Sequence, residues 1–341
     1  MFHSLGKRSR ARKHVEICIP AYRAESFIER TLRCALGQSH SNISILVSVD
    51  QSEDATAEIC NSVAKRESRI KLFVQEHRLG WAGNVNFLLD QVCAPFFFLY
   101  FHDDIIDSRY TELLLEAFDN AGVASCHCDM GTFGATSHVL VGREYLNSPV
   151  QRLATFLVAP KRGTPLRSLT SSRILDSKLR LPTNAAGGLG ANEPYIMRLL
   201  ASGPAVRVPQ ILYWRWNQRE GGLTEGWKKL SSLERHSVFR NTIAAAIEVV
   251  DDFATTPSER EALIFCLYVN MMVRLRQQEL ANGSSEFLAA EELSSDFAGK
   301  VRPNGFSELG SEIEKWALGR HKVLLQLEDQ MRHELYRQAG A

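Results

Sequence analysis

Two adjacent aspartates follow the most apolar stretch of the chain. Asp103 and Asp104 come directly after "APFFFLYFH", and isoleucines resume at once behind them. Two neighbouring carboxylates repel each other, which raises the pKa of one of them unless a cation or strong donors neutralise the pair. Carboxylates suit hard ions, and Mg²⁺ is usually held by one or two of them together with substrate phosphates. The pair therefore indicates either a metal site or a plain strand end that caps the next helix.

One of the two carboxylates is the better candidate for direct contact with an ion. Successive side chains of a strand point to opposite faces, so both can bind only if the chain turns there. We expect Asp103 to be the direct ligand and Asp104 to support it. His102 is an alternative ligand, although a histidine beside a carboxylate more often orients it through a hydrogen bond.

The elements around these residues predict where the carboxylates lie. Strand and helix patterns alternate along the first hundred residues, with apolar strands at 15–20, 43–49, 70–75 and 95–101. This order implies right-handed crossovers and an α/β fold, a doubly wound and mostly parallel sheet with helices on both faces. Ligands of such sheets bind at the carboxyl ends of the strands. Asp50 ends the second strand, so we expect it at the same edge as the aspartate pair.

Composition excludes several classes of protein. The 341 residues are 45% apolar and 23% charged with a net charge of +1, which is typical of a globular protein and predicts no nucleic-acid partner. Seven cysteines without a framework spacing favour a reducing compartment, so a cytoplasmic location is expected. No run is long and apolar enough for a membrane helix. A basic arm over residues 1–14 is either a solvated tail or a peripheral contact with the inner membrane face.

Four segments of the first 120 residues together resemble the family 2 glycosyltransferases, enzymes of the GT-A fold. They are "CIPAYRAESFIERTLRCALGQSH" (18–40), "ILVSVDQSEDAT" (45–56), "GWAGNVN" (80–86) and "YFHDDIIDSRYTELLLEAF" (100–118). Residues 190–200 and 206–216 are similar to the acceptor side of that family. The resemblance implies inverting transfer of a sugar from a nucleotide-diphosphate donor, with UDP favoured, to a hydroxyl of a glycan or lipid-linked acceptor.

The resemblance also implies roles for the matching residues. Asp103 takes the place of the second Asp in the metal motif of the family, where it would hold Mg²⁺ or Mn²⁺, while Phe101 stands in place of the first Asp. Glu193, at the start of the helix "NEPYIMRLLASG", takes the place of the general base, and Asp50 would accept from the nucleotide base. The residues implied to border the donor are Pro20, Ala21, Tyr22, Glu25, Asp50, Gly80, Asn86, His102 and Asp104.

On this basis the chain divides into the arm, a GT-A domain over residues 15–228 and an α-helical region over 229–341. The domain has a nucleotide-binding half at 15–120 and an acceptor half at 121–228. Trp214 and Trp216 share one face of a predicted strand and, with Tyr213, suit either a sugar-stacking platform or core packing. The glycines of "GGLTEGW" (221–227) are typical of a mobile lid over the donor.

Two other functions remain open at the level of sequence. A nucleotidyltransferase shares the sheet type and a metal at the strand ends, but the first strand would be followed by a Gly-rich basic loop instead of "AYRAES". A catalytically degenerate module that binds a nucleotide or a partner is the second alternative. Phe101 and Asn192, which replace expected carboxylates, are the reason for retaining it.

Overall fold

The structure is a computed structural model that describes residues 13–118, 122–158, 164–184, 186–217, 229–282 and 311–339. The strands are β1 (Val15–Ala21), β2 (Ile43–Val49), β3 (Ile70–Val74), β4 (Phe96–Leu99), β5 (Ile105–Ile106), β6 (Ser125–Gly134), β7 (Val139–Leu140), β8 (Leu169–Ser171) and β9 (Ala205–Asn217). The α-helices are α1 (Ile28–Leu36), α2 (Thr56–Ala64), α3 (Gly80–Gln91), α4 (Tyr110–Ala117), α5 (Pro149–Val158), α6 (Asn192–Ser202), α7 (Ser232–Phe253), α8 (Pro257–Asn282) and α9 (Ser311–Ala339). Most of the basic arm and the lid segment 221–227 lie outside the described residues.

The described strands form one sheet in the order β3-β2-β1-β4-β8-β6-β9-β5, with β7 beside β6. β3, β2, β1 and β4 are parallel, as the alternation of strands and helices predicts. β8 is antiparallel to both β4 and β6, and β9 is parallel to β6. The sheet is therefore mixed, and the four adjacent parallel strands β3, β2, β1 and β4 all come from the first hundred residues.

Helices cover both faces of the parallel part. Ile17 of β1 lies in the apolar cluster that includes Leu32 of α1 and Leu114 of α4. The neighbouring Glu16 points to the other face, where its carboxylate accepts the backbone N–H of Ala94, just beyond α3. Alternate residues of one strand thus meet helices on opposite faces. The predicted fold class, including the helical C-terminal region, is confirmed.

Contacts within the chain divide it into two units. The first comprises Met1–Leu146 and Lys161–Lys229, and the second comprises Asn147–Pro160 and Leu230–Ala341. The described part of the second unit is helical: α8 packs against α5, α7 and α9, and Phe156 of α5 and Leu267 of α8 are buried. The helix α5 therefore groups with the C-terminal helices, although it lies within residues 121–228. Within the described ranges, none of the helices combines the length and apolarity that crossing a bilayer requires.

A histidine is buried inside the first unit. His127 of β6 is 1% exposed, and its ring lies beside the Arg143 backbone without a hydrogen bond of ordinary geometry to either nitrogen. Gly142 packs against the ring, because a carbon at its Cβ position would lie 2.9 Å from Cδ2. Burial lowers the pKa of His127 to about 4, against opposing effects that include nearby Asp129. The folded state therefore holds this ring neutral.

We expect acid to destabilise the first unit through His127. The folded pKa lies below the ordinary value of 6.5, so the unfolded chain takes up the proton first and stability is lost as pH falls from 6.5 towards 4. At 1.36 kcal/mol per pKa unit the loss reaches about 3 kcal/mol. Urea unfolding between pH 7 and 4.5 measures it. The difference in unfolding free energy between wild type and His127→Leu should change across this range, and a constant difference would contradict the assignment.

Candidate active site

The carboxyl end of β1 is flanked by the two acidic segments. β1 lies between β2 and β4, and the N–H of Asp50, just after β2, donates to the carbonyl of Ala21 at 2.8 Å. On the other side, the Nδ1 of His102 lies 3.0 Å from the carbonyl oxygen of Pro20. The segment after β2 and the turn after β4 therefore meet at one edge of the sheet, with a single strand between them.

The side chain of Asp50 is buried against the N-terminus of α3. Its Oδ1 accepts the N–H of Leu79 at 2.7 Å, and its Oδ2 accepts the N–H of Gly80 at 2.9 Å. A carboxylate is favourable there because the first N–H groups of a helix have no partner within it. Gly80 has a φ of +72°, a backbone conformation that glycine adopts without strain. Asp50 therefore fixes the start of α3 relative to the sheet.

Asp50 also holds an arginine that the sequence reading missed. Arg78 Nε lies 3.0 Å from Asp50 Oδ2, and its guanidinium carbon lies 3.2 Å from the centre of the Tyr22 ring. Arg78 is 41% exposed, whereas Asp50 is 1% exposed. The sequence around Arg78 carries no local signal for this role, because Asp50 and Tyr22 are distant along the chain. The arginine and the tyrosine form a partly exposed cationic and aromatic surface.

Asp104 and Asp103 have separate environments. Asp104 is 1% exposed, and its carboxylate accepts from Arg167 Nη2 at 3.0 Å, from the Tyr213 hydroxyl at 2.8 Å and from the N–H of Trp216 at 3.0 Å. Burial raises the pKa of Asp104 although Arg167 lies beside it. Asp103 is only partly buried. The repulsion expected for the pair is thus relieved on one side by a buried arginine, and Asp103 is the carboxylate nearer the surface.

Two side chains of α1 bond the turn that carries Asp103. Arg30 Nη2 donates to the carbonyl oxygen of Asp103 at 2.9 Å, and the hydroxyl of Thr31 donates to the carbonyl of His102. Both contacts involve the main chain of the turn, so the side chains of His102 and Asp103 are not consumed by them. α1 therefore acts as a support for this turn.

Glu193 lies in the first turn of α6 and is 2% exposed. Its backbone N–H donates to the carbonyl of Gly190 at 3.2 Å, and that of Ala191 donates to Gly188 at 3.0 Å. The carbonyl groups of the glycine-containing loop before α6 thus accept N–H groups at the start of the helix. This loop packs on α3: a carbon at the Cβ position of Gly188 would lie 2.9 Å from Ala82 Cβ.

The remaining predicted donor residues have structural contacts of their own. Asn86 exchanges two hydrogen bonds of 2.8 Å with the main chain of Leu181. Glu25 accepts the N–H of Ala55 at 3.0 Å and so ties the loop after β1 to the start of α2. Buried Asn84, which the sequence reading missed, donates to the carbonyl of Ser48 at 3.1 Å. The roles assigned to Asn86 and Glu25 in donor binding stay predictions.

The aromatic residues near the end of β9 are divided between core and surface. Tyr213 is 1% exposed and belongs to the core, so it is not part of a sugar platform. Trp216 is partly buried and packs edge-on against Phe27, with ring centres 5.2 Å apart. Trp214 lies opposite Gly131 of β6 and is also partly buried. Only the two tryptophans remain candidates for a platform.

Comparison with solved structures identifies the fold. The chain superimposes on Staphylococcus aureus TarS residues 1–349 in complex with UDP-GlcNAc with a TM-score of 0.72. The match covers 96% of this chain and 92% of TarS 1–349, at 12% sequence identity. The same TarS fragment in a structure described without a ligand gives a TM-score of 0.65. The fold is thus the GT-A fold.

Sequence comparison matches part of the chain to a family model. The model described as glycosyl transferase family 2 matches residues 16–158. Glycosyltransferase GlyA of Streptococcus pneumoniae is 28% identical over 100 residues, 29% of this chain and 14% of GlyA. The Campylobacter jejuni GalNAc(5)-diNAcBac-PP-undecaprenol beta-1,3-glucosyltransferase is 29% identical over 112 residues, 32% of this chain and 36% of that enzyme. The matched segments thus span well under half the length of these relatives.

Proposed function

We propose that this chain is an inverting glycosyltransferase that moves a sugar from a nucleotide-diphosphate donor, with UDP favoured, to a hydroxyl of a glycan or lipid-linked acceptor. The observation that carries the proposal is the meeting of two acidic segments at the carboxyl end of β1. Asp50 lies on one side of this strand and the turn of Asp103 on the other. This is the edge at which α/β sheets bind nucleotides.

The nucleotide end of the donor would lie against Tyr22 and Arg78. An arginine stacked on an aromatic ring offers both a flat surface and N–H donors to a base. Asp50 accepts the N–H groups of Gln51, Leu79 and Gly80 and forms an ion pair with Arg78, so both of its oxygens are engaged. A base that bonded Asp50 directly would have to displace one of these partners. We therefore propose that Asp50 acts on the donor mainly by holding Arg78 and the N-terminus of α3.

The reaction would proceed by a single displacement. The carboxylate of Glu193 takes the proton of the acceptor hydroxyl, and the hydroxyl oxygen forms a bond to the anomeric carbon. The bond from that carbon to the diphosphate oxygen breaks, and its electron pair leaves on the nucleotide diphosphate. Because attack and departure occur on opposite faces, the configuration is inverted.

The residues present fit a divalent cation that the donor helps to hold. Mg²⁺ needs only one or two protein carboxylates when substrate phosphates supply the rest, and partly buried Asp103 offers one. The bond of His102 to the Pro20 carbonyl places the proton on Nδ1, as in histidines that bind metals through Nε2. Among the described residues, no three His, Cys, Asp or Glu side chains form a ready-made metal cage. A cation bound by Asp103 would act as a Lewis acid on the departing diphosphate.

A donor screen tests the proposal. Melting temperature and release of nucleotide diphosphate would be measured with UDP-GlcNAc, UDP-glucose, UDP-galactose and GDP-mannose, each with and without Mn²⁺. We expect one donor to raise the melting temperature with Mn²⁺, because a ligand at 100 times its Kd stabilises the folded state by about 2.7 kcal/mol. Asp103→Asn should lose the Mn²⁺-dependent part of the shift and release nucleotide diphosphate about 10²-fold to 10³-fold more slowly.

Asp251→Asn serves as the matched control, because Asp251 is an exposed carboxylate of α7 in the second unit and should not change either signal. Nucleotide binding without release in wild type would instead favour the degenerate binding module. Formation of a nucleotide-sugar from a nucleoside triphosphate and a sugar phosphate would favour the nucleotidyltransferase. Absence of both binding and release with every donor would overturn the proposal.

A further inference from the structure

Two asparagines hold the segment that carries Glu193 in place. One is Asn86 within α3, and the other is Asn184 in the loop that precedes α6. α3 is also the helix whose start is fixed by Asp50. We infer that Asn86 and Asn184 are positioning residues that set the place of Glu193 relative to the donor pocket. This inference rests on the proposed function, because it takes Glu193 as the base.

Asn184 organises the loop through its side chain. Its Oδ1 accepts the N–H groups of Ala186 and Gly188, each at 3.0 Å, and its Nδ2 donates to the carbonyl of Leu189 at 2.9 Å. One amide group thus bonds three residues of the loop that follows it. Such local side-chain bonds replace the regular backbone bonds that a loop lacks. The shape of the loop therefore depends on this single side chain.

The loop is pressed closely against the first turn of α3. Gly188 is buried, and a carbon at its Cβ position would lie 2.9 Å from both Ala82 Cβ and Trp81 Cε3. Real side chains do not approach so closely, so only glycine allows this contact. The φ of Gly188 is +100°, which also favours glycine. Packing on Trp81 and Ala82 thus fixes the loop at the end of α3 that Asp50 holds.

A second attachment of the segment, through hydrogen bonds, lies farther along α3. The Asn86 Nδ2 donates to the carbonyl of Leu181, and the Asn86 Oδ1 accepts the N–H of the same residue, both at 2.8 Å. Leu181 is 1% exposed and lies three residues before Asn184. A side chain that makes both bonds to one main-chain unit fixes the position and direction of that unit. The segment from Leu181 to the loop is thus attached to α3 at two separate points.

The loop determines where the backbone of Glu193 lies. Gly188 and Gly190 accept the N–H groups of Ala191 and Glu193, so the start of α6 follows the loop. A displacement of about 1 Å at a catalytic group can cost about 10²-fold in rate. The chain of contacts from Asp50 through α3 to the loop therefore links the donor side of the site to the base.

The test compares alanine and aspartate at both asparagines. Asn86→Ala and Asn184→Ala should lower kcat for release of UDP from UDP-GlcNAc, or from the donor with the largest thermal shift, by about 10-fold to 100-fold. Donor Kd should change less than threefold. Asn86→Asp and Asn184→Asp keep the accepted bonds but set a carboxylate oxygen against the carbonyl oxygens of Leu181 and Leu189, so they should not recover kcat. Asn61→Ala, an exposed asparagine of α2, is the control and should behave as wild type.

A double variant separates positioning from a general structural role. In a Glu193→Gln background, Asn184→Ala should lower kcat no further, because its effect passes through Glu193. Additive losses, or a kcat within twofold of wild type in both single alanine variants, would overturn the inference while leaving the proposed function intact. A wild-type chain that neither binds nor cleaves any donor would overturn the proposed function, and the positioning role with it.

Discussion

Glu193→Gln is expected to lower kcat by about 10²-fold to 10⁴-fold while donor binding is retained. Glutamine has nearly the same shape but cannot accept the proton of the acceptor hydroxyl, and a general base contributes an effect of this size. The donor site is formed by other elements, among them the strand ends and the start of α3. The donor-induced rise in melting temperature should therefore be close to that of wild type.

Glu58 provides a matched control for this variant. It lies in the first turn of α2, as Glu193 lies in the first turn of α6, but its side chain is exposed. Glu58→Gln should leave kcat unchanged. Release of nucleotide diphosphate and titration of the donor would be measured on the same preparations. A Glu193→Gln enzyme with wild-type kcat would show that another group acts as the base.

Asp104→Asn is expected to destabilise the first unit by about 3–5 kcal/mol, because it leaves the buried Arg167 without its counter-charge. The guanidinium is only 10% exposed, so water cannot replace the carboxylate. It also lies 4.7 Å from the ring centre of Phe101, a contact too weak to take over the role of an anion. The loss in free energy of unfolding would be measured by urea titration at neutral pH.

The double variant Asp104→Asn with Arg167→Met should recover part of that loss, since removing both charges removes the uncompensated one. Asp90→Asn breaks an ion pair in which the aspartate is 59% exposed, and should cost no more than about 1 kcal/mol. An Asp104→Asn variant that unfolds at the wild-type urea concentration would show that Arg167 does not depend on Asp104.

Local sequence patterns were enough to predict the parallel half of the sheet and the edge at which Asp50 and Asp103 lie. The partners of Asp104 could not be predicted in the same way, because Arg167 and Tyr213 lie 63 and 109 residues away along the chain. Their arrangement depends on the order of β4, β8, β6 and β9, which mixes parallel and antiparallel neighbours. The periodicity of a strand does not determine which strands lie beside it.

The same limit applies to Asn86. Its place in "GWAGNVN" indicated a donor contact, but the amide is bonded to Leu181, 95 residues farther on. Arg78 was missed for a different reason: a lone exposed arginine is common, and only its stacking on Tyr22 makes it notable. Residue type and spacing thus predict the region of the proposed site, and long-range contacts determine which hydrogen-bonding groups are already used within the protein.

Because α1 supports the Asp103 turn through only some of its side chains, its positions should differ in how freely they can be substituted. Arg30 and Thr31 bond the main chain of the turn, whereas Glu29 and Arg33 face the surroundings and pair with each other. Neighbouring positions of one short helix therefore carry unequal evolutionary constraint. Homologues should exchange the outer pair freely, but they should keep a long donor and a small hydroxyl at the inner positions even where the overall sequences have diverged.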